Sequence, residues 1–109
     1  MANTFKLKTK ANVGVTTENV YVTPAATTTV VIGVTLANVS GQSINVGMGI
    51  TRASTDDVNV LKDIPLPQGS SIEFMQGNKV VLETTDSFTA ISDTASSLDV
   101  ALTIMEITP

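Results

Sequence analysis

The sequence predicts an all-β fold, a two-sheet β-sandwich with jelly-roll-like connections, on three observations. Thr, Val and Ile supply 39 of the 109 residues, and these β-branched side chains favour a pleated surface over a helix. Apolar residues recur with a period of two, and no segment shows a helical period. Turn formers punctuate the chain at spacings of about 10–12 residues, which gives eight or nine strands, as in sandwiches and barrels. An immunoglobulin-like sandwich is the alternative. At 109 residues the chain is one domain spanning residues 1–109, since two cores would each be marginal.

Phe5 and Leu7 alternate with Lys6 and Lys8, so residues 4–10 read as a strand with its apolar face buried and its lysines, Lys10 included, wet. Val20-Tyr21-Val22 is a second strand, stopped by Pro24. In the run 28–38, Val30, Ile32, Val34 and Leu36 share one face, and Val31, Gly33, Thr35 and Ala37 the other. After the turn Ser40-Gly41-Gln42-Ser43, the strand 44–53 places Ile44, Val46, Met48 and Ile50 together and Asn45, Gly47, Gly49 and Thr51 opposite. Two glycines on one face mark a bulge or bend, or a place where another backbone, such as a neighbouring subunit, packs closely. Val58 and Val60 open a further strand. Ile64-Pro65-Leu66-Pro67-Gln68-Gly69 is a stiff extended crossover between sheets or along an edge. Ser71-Ile72-Glu73-Phe74 resumes the alternation, and Val80-Val81-Leu82 continues it toward Thr85-Asp86. Phe88, Ala90 and Ile91 mark the penultimate strand. Leu98, Val100, Leu102 and Ile104 alternate with Asp99, Ala101, Thr103 and Met105 in the last.

Chemistry is sparse. There is no His, Cys or Trp, so a Ser or Thr nucleophile lacks its usual base. Asp56, Asp57, Asp63, Asp86, Asp93 and Asp99 could form carboxylate pairs, but aspartates at turns ordinarily hold local backbone. Calcium is the one metal that these oxygen ligands suit, and their spacing matches no calcium loop. No cofactor and no catalytic residue is expected. A net charge of −4 argues against nucleic acid as a partner. No apolar run approaches the length of a membrane span, and no secretory leader pattern is present, so synthesis and retention in the cytosol are expected.

The remaining oddity is a shortage of charge. Only 15% of residues are charged and the mean hydropathy is +0.28, against roughly 25% charged in ordinary soluble domains. Either both faces are filled by the chain's own sheets and loops, or part of the outer surface is covered by other chains. Val31, Val39, Met75, Val81, Met105 and Ile107 are candidates for that interface, together with Gly47 and Gly49. Loops 53–57 and 92–97 are the places where a recognition function would sit.

Three stretches carry a resemblance: Ile64-Pro65-Leu66-Pro67-Gln68-Gly69-Ser70-Ser71-Ile72-Glu73, then Lys79-Val80-Val81-Leu82-Glu83, then Ser96-Ser97-Leu98-Asp99-Val100 with Met105-Glu106-Ile107-Thr108. With Thr23-Pro24-Ala25-Ala26-Thr27-Thr28-Thr29-Val30-Val31-Ile32-Gly33, they resemble small virion proteins of tailed bacteriophages, those of cyanophages most of all. The resemblance implies a β-sandwich located in the virion, made in the host cytoplasm and free of enzymatic activity. Its role would be a capsid decoration (cement) protein, a homo-oligomer such as a trimer, bound across major capsid protein subunits. The other role it implies is a neck or tail accessory that contacts tail proteins or a host glycan.

Overall fold

The computed structural model describes residues 2–52, 56–74 and 80–108. Nine strands follow in order: β1 (Ala2–Val13), β2 (Glu18–Val22), β3 (Thr28–Asn38), β4 (Ile44–Thr51), β5 (Val58–Leu66), β6 (Ser71–Phe74), β7 (Val80–Leu82), β8 (Ser87–Ser92) and β9 (Leu98–Thr108). They form two antiparallel sheets. Sheet A has the order β1-β9-β3-β6, with β7 also paired to β3, and sheet B has the order β2-β8-β4-β5.

The pairings nest around the β4–β5 hairpin: β3 with β6 and β7, β2 with β8, and β1 with β9. This is one long hairpin rolled into two sheets, the jelly roll. The immunoglobulin-like alternative does not have this order.

The core is the layer between the sheets. Val31, Val34, Leu36, Leu98, Val100, Leu102 and Ile104 of sheet A meet Ile44, Val46, Met48, Leu66, Phe88 and Ala90 of sheet B, all buried. In β9 the buried residues are the ones that the alternation names. In β3 the phase changes midway. A bulge between Val31 and Gly33 puts Ile32 out of register, so Val31, Val34 and Leu36 point inward while Val30 and Ile32 are only half-buried. A bulge adds one residue and thereby flips the side that follows, which strict alternation could not anticipate. Val31 therefore belongs to the core and not to an interface.

The proline segment divides in two. Ile64-Pro65-Leu66 completes β5, with Pro65 opposite Asn45, tolerated because β5 is an edge. Pro67 to Ser70 then crosses to sheet A through a turn closed by Ser70 N donating to Pro67 O, 3.2 Å, with Gly69 at φ +71. Asn38 fastens this corner by donating through Nδ2 to the carbonyls of Gln42 and Leu66.

β7 ends at Leu82, short of Thr85-Asp86. Asp86 turns the chain there, its Oδ2 accepting from Glu83 N at 2.9 Å.

The first strand corrects an expectation. Lys6, Lys8 and Lys10 lie opposite Ile104, Leu102 and Val100, and direct cross-strand partners share a face. The lysines therefore occupy the inner side of β1, and Phe5 and Leu7 point outward, 69% and 66% exposed. The inversion is possible because β1 is the margin of the sandwich, where a lysine stem can lie along apolar surface and its ammonium reach past the edge. Lys10 does so to Glu18 at 3.3 Å.

Candidate functional site

The inward series 98, 100, 102, 104 of β9 does not stop at Ile104. Glu106 continues it and is buried. A carboxylate there needs partners, and three strands supply them. Lys6 Nζ of β1 lies 2.8 Å from Oε1, Tyr21 Oη of β2 donates to Oε2 at 2.6 Å, and the Tyr21 hydroxyl shares a hydrogen bond with Thr29 Oγ1 of β3 at 2.8 Å. The hydrogen bond from Lys6, and then that from Tyr21, hold the Glu106 carboxyl below its ordinary range. The Tyr21 phenol is pushed up to about 12, first by burial and then by its bond to Glu106. This cluster closes one end of the core and fixes the position of β1.

With β1 held in that orientation, the outer face of sheet A can be read from the register. Phe5 lies opposite Met105, Met105 opposite Val30, and Val30 opposite Val81. These four residues form one unbroken apolar row across β1, β9, β3 and β7. Phe5 and Val81, at its two ends, are 69% and 57% exposed. Leu7, Ile107 and Ile32 flank the row. Farther down come Thr103, Ala101 and Thr35, and a shallow trough of about 210 Å³ lined by Thr9, Ala11, Ala37 and Ala101. Among the described residues the register places charge on this face at Asp99 and Glu73, both well away from the row; Lys10 borders the trough, and at the far end of the row Val81 borders a pocket that it shares with Arg52, Asp56 and Asp86.

The sequence-derived interface residues separate on this map. Val81, Met105 and Ile107 lie together on the outer face of sheet A. Val39 is exposed in the loop after β3. Met75 lies outside the described residues. Gly47 and Gly49 are on the opposite side of the molecule, in a depression of about 410 Å³ on sheet B. The backbone that approaches them belongs to the same chain. A Cβ at Gly49 would stand 2.8 Å from the Val58 carbonyl oxygen of β5, and one at Gly47 would stand 3.2 Å from the Leu61 carbonyl oxygen. Register shifts on either side of Met48 mark the bulge that brings β5 so near.

Phe5, Leu7, Val30 and Ile32 were missed by sequence reasoning. The available signal was Glu106: an acid in the inward phase of the last strand calls for an inward cation, and Lys6 is one.

Four of the aspartates weighed as candidate chemistry, Asp57, Asp86, Asp93 and Asp99, have structural partners. Asp57, Asp93 and Asp99 accept from the backbone N–H groups of Arg52, Asn45 and Asn12. Arg52 Nε reaches the buried Asp86 at 3.2 Å, and its terminal nitrogen reaches Glu83 at 3.4 Å. Among the described residues no group of three or more acidic, His or Cys side chains is placed to hold a metal. Loop 92–97 is bound to itself, with the Ser92 and Ser97 hydroxyls hydrogen-bonded and Ser97 donating to the Thr94 carbonyl. No helix is long and apolar enough to cross a membrane.

A jelly-roll sandwich with one uncovered, charge-poor sheet face is the class of molecule that these features define. It is similar in fold to a solved structure of Bacillus endospore appendages, described as a novel family of disulfide-linked pili. The TM-score is 0.60 at 14% sequence identity, over 98% of this chain and 87% of that one. At that identity the likeness concerns the fold alone. No protein-family model matches the sequence, and no curated protein matches it.

Proposed function

We propose that this chain is a non-enzymatic structural protein of a bacteriophage particle, a decoration subunit that oligomerises and reinforces the head by binding across major capsid protein subunits. The outer face of sheet A carries the structural part of this reading: an apolar row with exposed ends, on a face almost without charge, is surface suited to burial by protein. The sequence resemblance to small phage virion proteins supplies the particle. A chain without cysteine has no covalent cross-link of the disulfide kind, so its assembly rests on buried area and hydrogen bonds.

The test is occupancy on purified particles. Val81→Glu and Met105→Glu place a charge in the row and are expected to strip the protein from sedimented phage while its circular dichroism stays that of the wild type. Undiminished occupancy of both variants overturns the reading. So does a wild-type protein that never co-sediments with phage. Densitometry then locates it: many copies per particle mean the head, a few mean the neck or tail.

A further inference from the structure

We propose that a second copy of this chain covers the outer face of sheet A, related to the first by a two-fold axis lying in the interface, parallel to β3 and β9 and between them. This rests on the assembly reading above and names the occupant of the face; the pair is then the unit that binds the particle.

The edges of the sheets are poor places for two copies to join. Extending sheet A past β1 would bury Lys6, Lys8 and Lys10, which point inward at that margin, and inward charges are a recognised guard against edge pairing. β5 carries Pro65 and two register shifts. β2 is five residues long, with a shift of its own. On the opposite margin of sheet A the described strands, β6 and β7, are four and three residues long. Self-association is thereby directed to a face, and of the two outer faces that of sheet A is the apolar one.

The row is self-complementary about such an axis. Its order is Phe5, Met105, Val30, Val81, so a half-turn about the line between β9 and β3 sets Phe5 over Val81 of the other copy and Met105 over Val30 of the other copy. Every contact in the row is apolar on both sides. In the same arrangement Thr103 faces Gly33 of the other copy, where an added side chain would meet nothing within 4 Å in its own chain.

The charges agree with this axis. Asp99 comes to face Ala37 of the other copy, and Glu73 comes to face Thr9, so neither carboxylate opposes its own equivalent. That matters for two copies each carrying −4.

The area suffices as well. About nine residues each of β1, β9 and β3, with the four of β6 and the three of β7, in strands about 4.8 Å apart, present roughly 550 Å² of projected face. With side-chain relief, a pair hides roughly 1,100–1,400 Å² in total, within the range of specific interfaces. Sheets packed face to face keep their strands within about 30° of each other, so the row contacts survive the sheet twist.

Sedimentation velocity of the full chain is expected to give a species of about 23 kDa, twice the chain mass of 11.3 kDa. Met105→Glu, and independently Thr103→Arg at an exposed position, are expected to weaken pairing by roughly a hundredfold, because each buries an unpaired charge. The axis is read by cross-linking. Because the chain has no cysteine, Phe5→Cys and Val81→Cys are unique thiols. A short bis-maleimide is expected to join the two variants when mixed, and neither variant to itself. A monomer at every concentration, pairing untouched by both charged variants, or Val81→Cys joined mainly to itself each overturns the proposal. A monomer that still co-sediments with phage defeats the pairing and leaves the proposed function standing; a cross-linked pair never found on particles does the reverse.

Discussion

The two outer faces of the sandwich solve opposite problems with similar means. On sheet B, Gly47 and Gly49 make room for the backbone of the neighbouring strand β5 at a bulge, and the depression above them is lined by polar residues such as Thr17, Asn59, Lys62 and Asp63. On sheet A the large residues Phe5, Leu7 and Val81 are 69%, 66% and 57% exposed, covered by nothing among the described residues. Glycine, which loses most entropy on ordering, marks a close approach made within the monomer. Exposed apolar side chains mark the face that, on the proposal above, another molecule finishes.

The sharpest way to break this contrast is at Gly49. Its missing Cβ would meet a backbone oxygen at 2.8 Å, and a carbonyl in a strand cannot swing aside as a side chain can. Gly49→Val is expected to cost about 3 kcal/mol in urea unfolding, the scale of an overpacked core. Gly47→Ala should cost less, because one of its two nearest neighbours is the movable Cγ2 of Ile91. If Gly49→Val left stability unchanged, β5 would not be held against β4 at this bulge, and the close approach at Gly49 would place no constraint on the fold.

The next effect concerns the clamp that sets the phase of β1 and so delivers Phe5 and Leu7 to the outside. Glu106→Gln keeps the shape but loses the charge-assisted bonds from Lys6 and Tyr21, at an expected cost of about 1–2 kcal/mol. Lys6 is partly exposed, its side chain at 44%, so the pair is worth less than a fully buried one. The pH dependence follows from the two shifts. Glu106 is held below the ordinary carboxylate range, so its contribution is complete above that range and is lost as pH falls through its own lower value. Tyr21 is raised from 10.0 to about 12, so its contribution is complete below pH 10 and is lost as pH rises toward 12. Thermal melts should show a wild-type acid limb that Glu106→Gln flattens and an alkaline limb that Tyr21→Phe flattens.

These sites also show where sequence patterning is sufficient. β9 was legible because it lies between β1 and β3 and takes its phase from a fully buried face: Leu98, Val100, Leu102 and Ile104 have no second way to point. β4 was legible for the same reason; its glycines mark a bulge with close backbone approach, by β5 of the same chain where a neighbouring subunit was the other expectation. β1 and β3 failed for separate causes. At β1, a period of two fixes which residues share a face but not which face is inside, and at an edge a lysine can occupy the inner side. At β3, the single extra residue at Ile32 reverses the phase; Gly33 beside it is the signal of a bulge, and strict alternation passes over it. The assembly face suffered from both, since each of these strands supplies one residue of its row, Phe5 and Val30; only Val81, Met105 and Ile107 could be named in advance.

The smallest effect expected on the isolated chain is the one that sharpens the contrast most. Phe5→Ser and Val81→Thr remove apolar surface that is already mostly in water, so each should change unfolding free energy by less than about 0.5 kcal/mol. Deleting a Phe of comparable size from the core, as in Phe88→Ala at 0% exposure, costs about 3–5 kcal/mol. Urea titrations run on dilute protein, where copies are apart, should show that difference. Repeated at high concentration, the wild type should gain stability by mass action while Phe5→Ser gains none. A concentration-independent wild type, or a Phe5→Ser variant as damaged as Phe88→Ala, would mean that Phe5 serves its own fold and that the outer face of sheet A is no more available than that of sheet B.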